Sequence, residues 1–184
     1  DGATGSLDWD TVSIPDTDSD QDAPRLRLPG PVIVQLDSDA APEMILTIPT
    51  DSNGRSPGNG AKFIGMEMTS ITQIFDFRTP NGYSDSQPLP IDTDGDLIHD
   101  RLCWVTWYSE SSLNFNRKGM AGCHDISSTN PIKEWSKDMQ RGSGNDNDEI
   151  GVSPPIWMDI DGDEFYELIV PFGKRLWAFN GEDG

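Results

Sequence analysis

The sequence predicts an all-β protein built from repeated units of short antiparallel strands. The 184 residues include 18 Gly and 14 Pro, and such frequent helix breakers suit short strands joined by turns rather than long helices. No stretch repeats apolar residues at the 3.6-residue period of an amphipathic helix. In addition, an acidic loop followed by an apolar strand recurs along the chain. We therefore expect a repeat architecture made of strands.

The composition predicts a folded chain with many loops. Hydrophobic residues make up only 34% of the sequence, but six Trp and seven Phe are present, and disordered segments are poor in aromatic residues. The length corresponds to one or two domains and is sufficient to bury a substantial core.

The net charge argues against several classes of partner. A formal charge of -19 and a pI near 4.1 disfavour binding to nucleic acid or to anionic membranes, because both require a basic surface. No apolar run approaches the length of a membrane span, so membrane insertion is not expected. The acid surplus suits cation binding or a salt-rich environment. Because the chain starts at Asp1 without Met or a signal peptide, we expect a mature or excised part of a larger protein.

Two acidic loops share one spacing, with acids at positions 1, 3, 5 and 9 and glycine at position 4. A single loop of this kind is as readily explained by a plain Asp/Gly turn as by a metal site. Repetition of the spacing favours a cation site, because clustered carboxylates repel one another when no cation is bound. The acids are Asp92, Asp94, Asp96 and Asp100 in the first of these loops and Asp159, Asp161, Asp163 and Glu167 in the second, with Gly95 and Gly162 at position 4.

A third, weaker copy lies earlier, in residues 31–46. Asp37 and Asp39 are expected to hold its first two acidic positions, in a loop that is two residues shorter. Glu43 precedes an apolar strand there as Glu167 does later.

The strands that follow the loops divide the chain into units. Apolar segments follow each acidic loop, and segments with a central aromatic residue close the units: TQIFDFR (72–78), IKEWSKD (132–138) and, from a preceding unit, SLDWDTV (6–12). We expect one repeat domain over 1–184, in which residues 1–24 hold a closing strand and an acidic linker, residues 25–82 a first unit, residues 83–140 a second, and residues 141–184 an incomplete third.

Four short antiparallel strands per unit, with an acidic turn at a fixed place, are typical of a β-propeller blade. A two-sheet sandwich is the alternative, but it does not require the same loop in every unit. About three blades cannot close a propeller, which typically has four to eight. The last blade would be completed by the N-terminal strand of a neighbouring chain or by sequence beyond this one.

The acidic loops and the apolar strands after them resemble the calcium-binding FG-GAP or VCBS repeats of integrin α-subunit propellers and of secreted microbial surface proteins. The resemblance covers roughly residues 30–184. The segments RLWAFNGEDG and GATGSLDW are also similar to blade ends of quinoprotein-like propellers. The resemblance implies a calcium-binding propeller at a cell surface or in the extracellular medium, with a protein or glycan partner.

The loop residues suit calcium (Ca2+), which takes six to eight oxygen ligands, whereas zinc prefers His and Cys. Acids at positions 1, 3 and 5 would point into a tight turn, and the acid at position 9 would close the shell. The backbone carbonyl of the seventh residue, Ile98 or Phe165, would add an oxygen. In the earlier loop, Asp37, Asp39 and Glu43 are the candidate ligands.

Cys103 and Cys123 are the only cysteines. A hairpin centred near Leu113 would place them opposite each other, as a cross-strand disulfide requires. Two buried thiols are the alternative. Extracytoplasmic location favours the disulfide.

The other acidic segments and the histidines give weaker indications of function. Residues 142–151 are interpreted as a solvated loop, residues 16–22 as an acidic linker and His99 as a spacer in its loop. Sequence motifs for nucleophilic, zinc-protease or phosphate-binding chemistry are absent. We therefore expect a non-enzymatic, calcium-stabilised extracellular module that acts in adhesion or in surface, matrix or filament assembly, with homo-oligomers formed by strand exchange as one route. A fragment of a propeller lyase, hydrolase or quinoprotein is the alternative.

Overall fold

The computed structural model describes residues 29–48, 60–84, 86–109, 117–139, 153–173 and 175–184. These residues form β-strands and turns and contain no helix, so none of them forms an apolar helix of membrane-spanning length. The expected all-β class is confirmed. The segments 6–12, 16–22 and 142–151, interpreted above from sequence, lie outside the described residues.

The strands form three antiparallel sheets in chain order. Consecutive strands pair with one another, so each sheet is a simple meander. Sheet 1 contains β1 (Val32–Val34), β2 (Glu43–Ile48), β3 (Lys62–Glu67) and β4 (Thr72–Arg78); sheet 2 contains β5 (Leu89–Ile91), β6 (Arg101–Ser109), β7 (Arg117–Asp125) and β8 (Ile132–Met139); sheet 3 contains β9 (Ile156–Met158), β10 (Glu167–Phe172) and β11 (Arg175–Asn180).

Sheet 2 lies between the other two sheets and is buried on both faces. Successive side chains of a strand point to opposite faces, and in β6 Leu102 and Trp104 join a core shared with sheet 1, whereas Cys103 and Val105 join a core shared with sheet 3. Residues 102–105 of the strand are therefore all apolar, which explains why no polar and apolar alternation is visible there.

Each four-stranded sheet places an aromatic side chain of its last strand over a small or disulfide-bonded residue of the strand before it. Phe75 of β4 pairs with Gly65, and Trp135 of β8 pairs with Cys123. Both aromatic side chains are buried. Next to each of these pairs the register shifts by one residue, which leaves an extra residue on the last strand, so the two sheets share a local irregularity as well as a strand order.

The cysteines pair across β6 and β7. Cys103 is directly opposite Cys123, and the two are joined in a disulfide that is fully buried in the core between sheets 2 and 3. The bond links the two longest strands of the middle sheet.

Candidate metal centres

Three acidic loops occupy the same place in the three sheets, between the first and second strands. We call residues 35–43 loop 1, residues 92–100 loop 2 and residues 159–167 loop 3, and number each from its first residue. Loops 1 and 2 are adjacent: the N–H of His99, in loop 2, donates to the carbonyl of Gln35, in loop 1, at 2.8 Å.

Loop 2 folds around the carboxylate of its first residue. The two oxygens of Asp92 accept the N–H groups of Gly95 at 2.7 Å and Leu97 at 2.8 Å. At the other end, Asp100 accepts the N–H and the hydroxyl of Thr93. Asp92 therefore shapes the turn, and Asp100 closes it.

Loop 3 repeats the hydrogen-bond arrangement of loop 2 with other residues. Asp159 accepts the N–H groups of Gly162 at 2.6 Å and Glu164 at 3.1 Å. Glu167 accepts the N–H of Ile160 at 3.0 Å, seven residues back, as Asp100 does with Thr93. The shared spacing thus corresponds to a shared hydrogen-bond pattern.

The backbone of both loops turns through the left-handed region twice. Glycine was expected at position 4, where Gly95 and Gly162 have φ of 83° and 81°. Position 6 also has positive φ, at 75° in Leu97 and 73° in Glu164. Sequence reasoning missed this second turn, because neither Leu nor Glu signals a left-handed conformation. These two turns direct successive N–H groups at the first carboxylate.

The turns bring carboxylates close together. One oxygen from each of Asp92, Asp94 and Asp96 lies within 4.8 Å of the others, and the same holds for Asp159, Asp161 and Glu167. The candidates Asp100 and Asp163 are not part of these two groups. Asp96 and Asp163 accept the N–H groups of Ile98 and Phe165. That the carbonyls of Ile98 and Phe165 bind a metal stays a prediction.

Hydrogen bonds lower the pKa of the first carboxylate of loops 2 and 3. In Asp92 desolvation acts to raise the pKa, but the N–H groups of Leu97 and Gly95 outweigh it and the pKa is lowered. In Asp159 the N–H of Gly162 is the largest influence and lowers the pKa in spite of desolvation. Several negative charges are therefore close together, an arrangement that a hard cation stabilises.

Loop 1 is not shortened, and the expectation that it is two residues shorter is wrong. Val34 pairs with Glu43 across its base as Met158 pairs with Glu167 across loop 3. The N–H of Leu36 donates to Glu43, again seven residues apart. Loop 1 thus has Gln35 at position 1, and the acids stand at positions 3, 5 and 9. Counting back from the acid at position 9, rather than forward from the first Asp, would have found this register.

Gln35 changes the conformation of loop 1. Its side-chain amide donates to the carbonyls of Asp37 at 2.8 Å and Asp39 at 2.7 Å, whereas Asp at position 1 accepts N–H groups. No residue of loop 1 has positive φ. In loop 1, backbone carbonyls therefore face the side chain at position 1, whereas backbone N–H groups face it in loops 2 and 3.

Glu67, at the end of β3, is a site residue that sequence reasoning missed. Its carboxylate lies in a close group with Asp37 and Asp39, within 4.8 Å. Glu43 faces it from the directly opposite position on β2 and is fully buried. Because cross-strand pairing of two distant segments creates this group, no spacing in the sequence signals it.

Comparison with protein-family models, curated proteins and solved structures gives no significant match for any of the three. The resemblance to FG-GAP or VCBS repeats therefore stays a prediction.

Proposed function

We propose that the chain is a calcium-stabilised, non-enzymatic module of β-propeller type that acts in adhesion or assembly outside the cell. The observation that carries the proposal is the common structure of loops 2 and 3, in which the same hydrogen bonds gather ionised carboxylates into groups with oxygens within 4.8 Å. Calcium favours all-oxygen ligation in flexible loops and would offset the repulsion among the clustered carboxylates. Its binding free energy would then add to the stability of the folded state.

The stacking of the sheets supports a propeller-type arrangement. Ile45 and Ile169 are equivalent, since each lies two residues after the glutamate that pairs across the base of its loop. Ile45 belongs to the core between sheets 1 and 2, whereas Leu168 and Val170, the neighbours of Ile169, face sheet 2. The face of sheet 1 that covers its neighbour is therefore the face that sheet 3 turns away from sheet 2.

Both end faces of the stack carry exposed apolar side chains. On sheet 3, Ile156 is 53% exposed and Leu176 is 71% exposed, and on the opposite end Ile33 of sheet 1 is 56% exposed. Each end face is equivalent to one that a neighbouring sheet covers inside the stack. These surfaces suit further sheets of the same kind, as a propeller would supply, or a protein partner.

The open edge of sheet 3 supports strand exchange as a route to assembly. Among the described residues β11 pairs only with β10, whereas β3 and β7 each have a closing strand beyond them. Residues 6–12 have an aromatic residue, Trp9, at the place that Phe75 and Trp135 hold in the closing strands. We propose that this segment of a neighbouring chain adds to β11.

The histidines support a non-enzymatic role. His124 accepts a hydrogen bond from Trp104 in the core, and His99 contacts the backbone of Gln35. Each side chain thus has a structural partner.

Thermal unfolding with calcium, with magnesium and with a chelator tests the proposal. We expect calcium to raise the midpoint by many degrees and magnesium to raise it less, because magnesium demands a stricter octahedral geometry. Coincident midpoints in calcium and chelator would contradict a calcium-stabilised module.

The variant Asp94→Asn with Asp161→Asn isolates metal binding from folding. Position 3 is suitable because the carboxylate of Asp94 accepts the N–H of Asp96, and an Asn oxygen can accept it too. We expect the calcium-induced rise to shrink while the midpoint in chelator stays the same or increases. Asp183→Asn, an exposed acid outside the loops, is the matched control and should leave the calcium response unchanged.

A further inference from the structure

We propose that loop 1 and the end of β3 form a separate divalent-cation site of a different design, with Asp37, Asp39 and Glu67 as outer ligands and Glu43 as the buried oxygen behind them. It goes beyond loops 2 and 3, because one ligand comes from another strand and no acid stands at position 1.

The outer ligands come from two segments that the fold brings together. Asp37 and Asp39 belong to loop 1, whereas Glu67 ends β3, and one oxygen of each lies within 4.8 Å of the others. Part of each carboxylate is already used: Asp37 accepts the N–H of Asp39, Asp39 that of Ala41, and Glu67 the N–H and hydroxyl of Thr69. A carboxylate has about four lone-pair directions, so capacity for a cation remains in each.

The observation that points to a ligand is the carboxylate of Glu43. The side chain is fully buried, and its Oε2 accepts the N–H of Leu36 at the start of the loop. Its Oε1 is buried without any hydrogen-bond partner. An unpartnered buried polar atom is destabilising by roughly 1–3 kcal/mol and by more when charged, so such atoms are rare without a bound water or ion.

Glu43 lies beside Glu67 of the outer group, on the same face of sheet 1. It pairs directly with Glu67 across β2 and β3, and directly opposed side chains lie on the same face of a sheet, about 5 Å apart at Cβ.

The outer group and Glu43 leave two features without a partner. Three like-charged carboxylates lie close together, and Glu43 Oε1 is buried without a hydrogen-bond partner. A divalent cation would offset the repulsion among the outer carboxylates and attract the buried oxygen of Glu43. Oxygen ligands from a loop and a strand suit calcium, which tolerates irregular coordination.

Calcium titration by calorimetry tests the site in the Asp94→Asn, Asp161→Asn background, in which loops 2 and 3 are disabled. We expect this background to bind one further equivalent of calcium. Adding Glu67→Gln, which can still accept the Thr69 hydrogen bonds, should weaken that binding at least about tenfold. Glu182→Gln is the matched control, since Glu182 is an exposed glutamate outside all three loops, and should bind as the background does.

The outcomes separate this inference from the calcium sites of loops 2 and 3. If the wild type binds more calcium than the background but the background binds none, the loop 1 site is refuted while loops 2 and 3 stand. If wild type and background bind equally and Glu67→Gln abolishes that binding, the loop 1 site is supported and the calcium sites of loops 2 and 3 are refuted. Equal binding by Glu67→Gln and the background refutes the assignment.

Discussion

Trp104 Nε1 donates a hydrogen bond to His124 Nδ1 at 3.0 Å in the core between sheets 1 and 2. Both side chains belong to sheet 2 and are buried. Phe77 of sheet 1 stacks on the His124 ring with centroids 3.9 Å apart. A polar pair of sheet 2 is thus closed off by an aromatic ring of sheet 1.

Replacing His124 tests the role of this pair. His124→Phe fills a similar volume but leaves the indole N–H of Trp104 without its acceptor, and we expect a loss of about 1–3 kcal/mol of unfolding free energy. His124→Gln retains an acceptor and should lose less. Urea unfolding of the three proteins measures the difference. Equal stability of the Phe and Gln variants would show that the hydrogen bond contributes nothing.

His124 also predicts a loss of stability in mild acid. Burial, followed by the positive charge of Lys133, lowers the pKa of His124 to about 4, whereas an unfolded histidine titrates near 6.5. Above pH 6.5 both states are neutral at this site. As the pH falls from about 6.5 to about 4, only the unfolded state binds the proton, so stability falls by up to about 3 kcal/mol.

Urea unfolding in chelator at several pH values between 7.5 and 4 measures this effect. The wild type should lose more stability than His124→Gln over the interval, because glutamine does not titrate. Parallel pH profiles for the two proteins would contradict the low pKa.

Glycine at position 4 of loops 2 and 3 is required by its conformation and not by space. A Cβ at Gly95 would meet no atom within 4 Å, but φ is +83°. Gly95→Ala should therefore destabilise by about 1–2 kcal/mol, and Gly95→Asn by less, because Asn tolerates the left-handed region. Thermal unfolding in chelator compares them. An alanine variant as stable as the wild type would show that the loop has another backbone conformation.

The glycine opposite Phe75 is required for space. A Cβ at Gly65 would lie 2.5 Å from the Phe75 ring, and φ is not positive there. We expect Gly65→Ala to cost about 1–3 kcal/mol through overpacking. Phe75→Leu should offset part of this in the double variant, a coupling that a double-mutant cycle on unfolding free energies detects. Strictly additive effects would contradict the contact.

The disulfide should contribute substantially to stability. Cys103 and Cys123 are separated by 20 residues, and closing a loop of this length stabilises by about 3 kcal/mol in the chain-entropy model. The Cys103→Ala, Cys123→Ala double variant should lose about this amount in urea unfolding. Because both cysteines are fully buried, the native wild type should resist dithiothreitol until it unfolds. Rapid reduction without denaturant would indicate an exposed bond.

Much of the architecture could be predicted because local residue patterns cause it. Gly and Pro limit helices, and the repeated spacing from Asp92 and from Asp159 predicted two similar turns before the second strand of a sheet. The same logic misplaced loop 1, because it matched Asp37 to Asp92 by residue type. Strand register, set by the pairing of Val34 with Glu43, does not follow from the first acid in a loop.

The sequence by itself determined the all-β class, the places of loops 2 and 3 and their glycine turns, since these depend on residues close together in the chain. Only the tertiary structure decided that sheet 2 is buried on both faces, that Glu67 joins Asp37 and Asp39, and that Glu43 is buried opposite Glu67. These relationships depend on which strands pair and which faces stack. Pairing is decided by the packing of segments far apart in sequence, which no local spacing encodes.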